Sequence, residues 1–428
     1  MKSAIYLPIF LLLLHFSYLQ GQVNPETTQK IIPERENAPS NYEKPYLILI
    51  SIDGYRHDYT EIHGAKNLSK LSNEGIRAEA LIPSFPTFTF PNHYTIVTGL
   101  HPRNHGILAN HFYDKSRQEY YSMRFSETIK DGTWYQGIPI WVLAENKKLL
   151  TASFYWVGSE ADIAGTLPTY HYSYNESIPI DRRIDEVRKW LELPEEKRPH
   201  LITFYFPEVD QAGHRFGPES PETRQAVQWV DSAVAELIRE VEKTNLPVNY
   251  IILSDHGMTK IEPRNKVKLP NDLDQEQFII APGAEVVHLF AKDKRSIFPA
   301  YELLAQESND QYQVYLKENL PAHLRTNNQI IKNRIGDIVI IANWPKVISL
   351  SDRTPNPGGH GYDPQNVSDM NSIFYAWGPN FKTGIQLPAF ESIHVYPIIA
   401  QILDLHIPHA IDGKETIANQ IVRNISGE

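Results

Sequence analysis

The 428-residue chain contains no cysteine, which excludes disulfides, thiolate zinc sites, iron–sulfur clusters, a thiol nucleophile and lipidation through cysteine. Any metal must therefore sit on histidine or carboxylate. Runs of positive charge are missing too: 41 Lys and Arg face 51 Asp and Glu, a net charge of −10, so a nucleic-acid polymer gripped through many phosphates is not an expected partner. A small anionic substrate stays compatible if a metal supplies the charge. With 22 Gly, 31 Pro and 41% hydrophobic residues, the composition is neither collagenous, disordered nor coiled coil. The apolar stretch Ala4–Phe16 falls short of the ~18–20 residues that span a bilayer. With Lys2 before it and Gln20-Gly21 after it, it predicts a cleaved signal peptide over residues 1–21. No second hydrophobic span follows, so the expected mature protein is periplasmic or secreted, without a membrane span.

Residues 22–44 are polar and Pro-rich and read as a leader, with the folded domain expected over 45–428. Three apolar runs look like buried parallel strands: Tyr46–Ile52, Leu201–Phe206 and Val248–Ser254. They alternate with segments of helical periodicity, Ala65–Glu74, Asn92–Gly99, Ile184–Leu191 and Pro221–Lys243. The pattern predicts an α/β fold with helices on both faces of a sheet. A block over about 260–354 has its own strand–helix–strand signals and reads as a small inserted α+β subdomain.

Each of the three strand candidates runs into an acidic residue: Ile52-Asp53-Gly54, Phe206-Pro207-Glu208-Val209-Asp210 and Ser254-Asp255-His256-Gly257. In open α/β sheets the ligand crevice lies at the carboxyl ends of the strands, so these aspartates converge. Taken singly, each is more often a cap or turn former. Histidine shifts that balance. His214 stands four residues after Asp210, His256 follows Asp255, and His360 lies in the Gly-rich run Pro357-Gly-Gly-His360-Gly361. Imidazole and carboxylate together suit zinc where thiolates are absent, and six such ligands can hold two ions at the ~4 Å spacing used for in-line phosphoryl transfer. His57, His63, His93, His101, His105 and His111 are expected at the surface or in polar networks. Hydroxyls for nucleophilic attack lie in Ser84-Phe-Pro-Thr87-Phe-Thr89, just ahead of a helix whose N-terminus favours an anion. A metal can activate such a weak nucleophile.

The phrases Ile52-Asp53-Gly54, Thr89-Phe90-Pro91-Asn92-His93-Tyr94, His105-Gly106-Ile107, Asp210-x-x-Gly213-His214, Ser254-Asp255-His256-Gly257-Met258 and Gly359-His360-Gly361 resemble the nucleotide pyrophosphatase/phosphodiesterase family of the alkaline phosphatase superfamily. The resemblance runs from about Tyr46 to the C-terminus, with the motifs in family order. It implies a doubly wound, alkaline-phosphatase-like sheet and two Zn²⁺ per chain. One zinc is implied on Asp210, His214 and His360, the other on Asp53, Thr89, Asp255 and His256. Thr89 becomes the nucleophile and Asn110 the hydrogen-bond donor to a phosphoryl oxygen. Phe90 and Tyr174 match positions that sandwich a nucleobase, and Tyr205 matches another pocket aromatic. The absence of cysteine, with no room for the extra domains of animal members, suggests a bacterial single-domain type.

The expected activity is hydrolysis of nucleotide phosphodiester and pyrophosphate bonds to nucleoside 5′-monophosphates through a phosphorylated Thr89. A glycerophosphodiester or lysophospholipid hydrolase with the same metals is the alternative. The expected partner is a small nucleotide or phosphodiester, and the oligomeric state is open.

Overall fold

The computed structural model describes residues 27–281, 283–352 and 354–423. The signal peptide expected over residues 1–21 lies outside them. At the centre is a nine-stranded mixed sheet in the order Lys30–Ile31, Tyr170–Tyr172, Thr151–Phe154, Leu201–Phe206, Tyr46–Ile52, Val248–Leu253, Phe374–Trp377, Ile76–Ala78 and Ile385–Leu387. The five strands from Tyr170–Tyr172 to Val248–Leu253 are parallel, while Phe374–Trp377 runs antiparallel to both of its neighbours. The three apolar runs read from the sequence are thus three adjacent central strands, buried on both faces as their lack of alternation requires.

Those two faces carry two cores. On the strand Tyr46–Ile52, Leu47 and Leu49 join the core beneath the helices Thr89–Thr98 and Val395–Ile402. Ile48, Ile50 and Ile52 join the other, under Ile180–Leu191 and Pro221–Glu242. Period-two alternation of the strand divides one apolar run between two helical layers.

The residues expected to be a leader are corrected by the structure: the described part from Thr27 onward belongs to the fold. Lys30 and Ile31 pair with His171 and Tyr170 as an antiparallel edge. The buried Asn37 side chain donates to the Glu195 and Arg198 carbonyls and accepts from the Leu150 amide. Asn41 donates to the Lys147 and Lys148 carbonyls. The segment is polar because its side chains satisfy the backbone of neighbouring loops.

A four-stranded antiparallel sheet, in the order Phe278–Ala281, Val286–Ala291, Ile338–Ala342 and Tyr312–Leu316, occupies the inserted region with its own apolar core. Arg334, 1% exposed, ties it to the main sheet domain through the Asp114 carboxylate and the Gly106 and Trp134 carbonyls.

Candidate active site

All the acidic strand ends open onto one crevice. Asp53 follows the strand Tyr46–Ile52, and Asp255 and His256 follow Val248–Leu253. The helix Glu208–Phe216 begins just after Leu201–Phe206 and sets Asp210 and His214 one turn apart on the same face. Gly54, at φ +68°, makes the close approach possible, since a Cβ there would lie 2.9 Å from Cα and Cβ of Asp210. Gly358 does the same for the His360 loop, where a Cβ would lie 2.1 Å from the Gly213 carbonyl.

Six side chains therefore fall into two groups of candidate ligands, Asp210 with His214 and His360, and Asp53 with Asp255 and His256, the ligand atoms of each lying within 4.8 Å of one another. Nε2 of His214 is 3.0 Å from Nε2 of His360 and 3.5 Å from Oδ1 of Asp210. Nε2 of His256 is 3.0 Å from Oδ2 of Asp255 and 3.5 Å from Oδ1 of Asp53. Oδ1 of Asp53, Oδ1 of Asp210 and Oδ2 of Asp255 are buried without a hydrogen-bond partner. The three imidazoles present their Nε2 atoms because each donates Nδ1–H to a backbone carbonyl, His214 to Gly358, His360 to Thr87 and His256 to Gly257. Buried carboxylate oxygens with no donor, facing imidazoles whose other nitrogen is fixed by a carbonyl, are a donor set that fits divalent cations.

The charge balance agrees. Burial, with Asp255 and Asp210 close by, pushes the Asp53 carboxyl well above the usual range. Burial and the adjacent His256 and His214 push His360 well down. Asp255 goes the other way: against its burial, His256 and His93 hold it well below the usual range. Such a cluster is electrostatically frustrated unless a cation joins it.

Thr89 is the first residue of the helix Thr89–Thr98, and its Oγ1 lies 3.2 Å from Nε2 of His256. The sequence pattern predicted a helix starting at Asn92 because Pro91 suits a first position. Proline sits equally well elsewhere in the first turn, whose amides have no intrahelical acceptor. Asn110 Oδ1 accepts the Phe90 amide at 2.9 Å, so its other terminus, the Nδ2 donor, is the one available for a ligand.

An aromatic cavity of about 290 Å³ adjoins the centre, lined by Phe90, Tyr155, Trp156, Tyr174 and Tyr205 together with Asp53, Thr89 and Asp210. Phe90, Tyr174 and Tyr205 are thus brought to one cavity. Tyr174 is 41% exposed and its hydroxyl donates to Glu176 at 2.7 Å. The Tyr205 hydroxyl donates to Oδ2 of Asp53, joining the cavity wall to the ligand cluster.

His93, expected in a polar network, has a more specific place. Its Nδ1 lies 3.0 Å from the Thr89 carbonyl and 3.2 Å from Oδ2 of Asp255, and its Nε2 lies 2.8 Å from Oγ of Ser51. Tyr155 and Trp156 were also missed, although they directly follow the strand Thr151–Phe154, the same strand-end position that drew attention to the aspartates.

The sequence pattern of the type I phosphodiesterase / nucleotide pyrophosphatase family matches residues 47–363. A venom phosphodiesterase of Macrovipera lebetinus is 34% identical over 90% of this chain and 46% of that protein. Human ectonucleotide pyrophosphatase/phosphodiesterase family member 1 is 35% identical over 90% of this chain and 43% of its own length. The chain therefore spans less than half the length of these curated relatives. Murine ectonucleotide pyrophosphatase/phosphodiesterase 5 superposes with a TM-score of 0.81 at 29% identity, covering 88% of this chain and all of that one. An inactive variant of the same murine protein, in complex with AMP, superposes equally well. On these matches, the chain belongs to the type I phosphodiesterase / nucleotide pyrophosphatase family.

Proposed function

We propose that the protein hydrolyses phosphodiester and pyrophosphate bonds of nucleotides to nucleoside 5′-monophosphates, through a phosphorylated Thr89 and with two zinc ions, after export from the cytoplasm. One observation carries this reading: three partnerless buried carboxylate oxygens and three imidazole Nε2 atoms surround Thr89 where an aromatic cavity opens. Asp210, His214 and His360 would hold one ion, and Asp53, Asp255, His256 and Thr89 the other. When bound, the ions supply positive charge that lowers the pKa of a coordinated hydroxyl or water and offsets phosphoryl charge.

The remaining work falls to the chain itself. Thr89 Oγ, on the rigid first turn of a buried helix, attacks phosphorus, forming the Oγ–P bond as the bond to the leaving oxygen breaks. Water then cleaves phosphothreonine and restores the hydroxyl. The Asn110 carboxamide, oriented by the Phe90 amide, donates Nδ2–H to a non-bridging oxygen, where charge builds in the transition state. Phe90 and Tyr174 offer ring faces to a nucleobase. The AMP complex of the murine relative supports a nucleotide in this cavity.

The test is product analysis with thymidine 5′-(4-nitrophenyl phosphate). Release of thymidine 5′-monophosphate with 4-nitrophenolate is expected. Turnover of glycerophosphocholine with the nucleoside ester left intact would overturn the reading in favour of a lipid-headgroup substrate.

A further inference from the structure

A second cavity opens from the same centre. It meets the aromatic cavity at Thr89, Met123 and Asp210 and extends past Asn110, His214 and His360 to the inserted subdomain. Its inner section is about 340 Å³ and its outer section about 470 Å³. A phosphodiester carries two substituents, and the two cavities offer one place for each. Resting on the nucleotide reading above, the aromatic cavity takes the nucleoside. The second cavity borders the Asp210–His214–His360 group, whereas Thr89 stands against His256 of the other group. A group departing in line from Thr89 enters it.

The lining restricts what fits. Among the described residues, the basic side chains on its walls are Arg124 and His111, and burial together with Arg124 pushes His111 down, towards its neutral form. Opposite them is the Glu285 carboxyl, in a residue 5% exposed and with no hydrogen bond or ion pair among the described residues. Its Oε2 would lie 2.9 Å from a Cβ at Gly361, so it packs onto the backbone of the His360 loop. Phe88, Ile261, Val347 and Ile348 supply apolar surface. One cation, one acid and an apolar wall suit a bulky group of low charge. Inorganic pyrophosphate is compact, multiply charged and has no apolar surface, so Glu285 repels it and most of the wall gains nothing from it.

We propose that this second cavity is the leaving-group site and that it takes an organic phosphate monoester, a second nucleotide or a sugar phosphate, in preference to inorganic pyrophosphate. In that reaction the Thr89 Oγ–P bond forms while the phosphoanhydride P–O bond breaks. The leaving group keeps the electron pair and departs as a phosphate monoester anion, with no proton required. Its distal phosphate faces Arg124 and its sugar or nucleoside faces the apolar wall.

ADP-ribose, diadenosine diphosphate and ATP deliver the same AMP unit and differ only in the leaving group. In the wild-type protein, kcat/KM for the first two is expected to exceed that for ATP by about tenfold or more. Glu285→Gln should narrow the gap by raising ATP turnover, with thermal unfolding confirming that the variant is folded. Arg124→Ala should lower turnover of the two diesters and spare adenosine 5′-(4-nitrophenyl phosphate). Equal or better turnover of ATP by the wild type overturns the proposal, as does an equal shift of all substrates in both variants. Failure to hydrolyse the nitrophenyl nucleotide at all would overturn the nucleotide reading itself.

Discussion

The imidazole of His256 lies nearly parallel to that of His360, ring centroids 3.6 Å apart and planes inclined by 16°, although the two belong to different ligand groups. Rings at this distance cannot both be protonated without strong repulsion in a buried site, so the stack requires at least one neutral imidazole. His360 is that ring, since burial and the neighbouring His256 and His214 push it down, whereas Asp255 raises His256 against the effect of burial. Bound cations relieve the arrangement by accepting the Nε2 lone pairs. Prolonged chelation should therefore abolish hydrolysis and also lower the thermal unfolding temperature, with zinc restoring both. Verified metal-free protein with full activity and unchanged unfolding would refute the two-ion reading.

Thr89→Ala is expected to reduce turnover by at least ~10³-fold, while Thr89→Ser keeps partial activity because a hydroxyl remains at the helix start. Trapping ³²P on the wild-type chain by rapid acid quench, and its loss in the Ala variant, checks the covalent step. Turnover by the Ala variant at the wild-type rate would mean that water attacks directly. Asn110→Ala should cost ~10²-fold in kcat, the scale for one donor to a developing charge.

Phe90 and Tyr174 contribute to substrate choice in addition to chemistry at phosphorus. Stacking is worth ~1–3 kcal/mol per base, or ~5–150-fold in kcat/KM. Truncating either ring to Ala should weaken thymidine 5′-(4-nitrophenyl phosphate) by a factor in that range and leave bis(4-nitrophenyl) phosphate much less affected. Equal losses on both substrates would show that the rings do not read the base.

Acid should destabilise the fold independently of the metal site. Burial pushes His105 down to about 3, and His171 and His200 down to about 4. Each is neutral in the folded state, while in the unfolded chain it takes up a proton below about pH 6.5. The unfolded state thus binds more protons across roughly pH 6.5 to 4, and stability falls as pH drops through that window. Urea midpoints at pH 7.5 and pH 5 measure this. A higher midpoint at pH 5 would contradict it.

Much of the architecture was legible because it depends on local pattern. Buried parallel strands must be apolar on both faces, so Tyr46–Ile52 and Leu201–Phe206 were readable to the residue, and Val248–Leu253 to within one. The acids and histidines at their ends stood out because a charged residue directly after a fully apolar run has few structural reasons to be there. The edge strand Lys30–Ile31 was not legible. Two residues carry no periodicity, and their pairing is decided by a partner about 140 positions away.

The sequence by itself determined the α/β class, the family, and the order of the groups that follow each strand, since all three are written in contiguous motifs and short-range periodicity. Only the tertiary structure decided which of these groups meet. The parallel order of the central strands brings Asp53, Asp210 and Asp255 to one edge of the sheet, and close packing at Gly54 and Gly358 closes the remaining distance. The same holds for His93 against Asp255, for the Tyr205 hydroxyl on Asp53, and for Glu285, which the inserted subdomain delivers to the wall of the second cavity. These contacts join residues 85 or more positions apart, and no local propensity encodes them. They follow from burying two faces of one sheet at once.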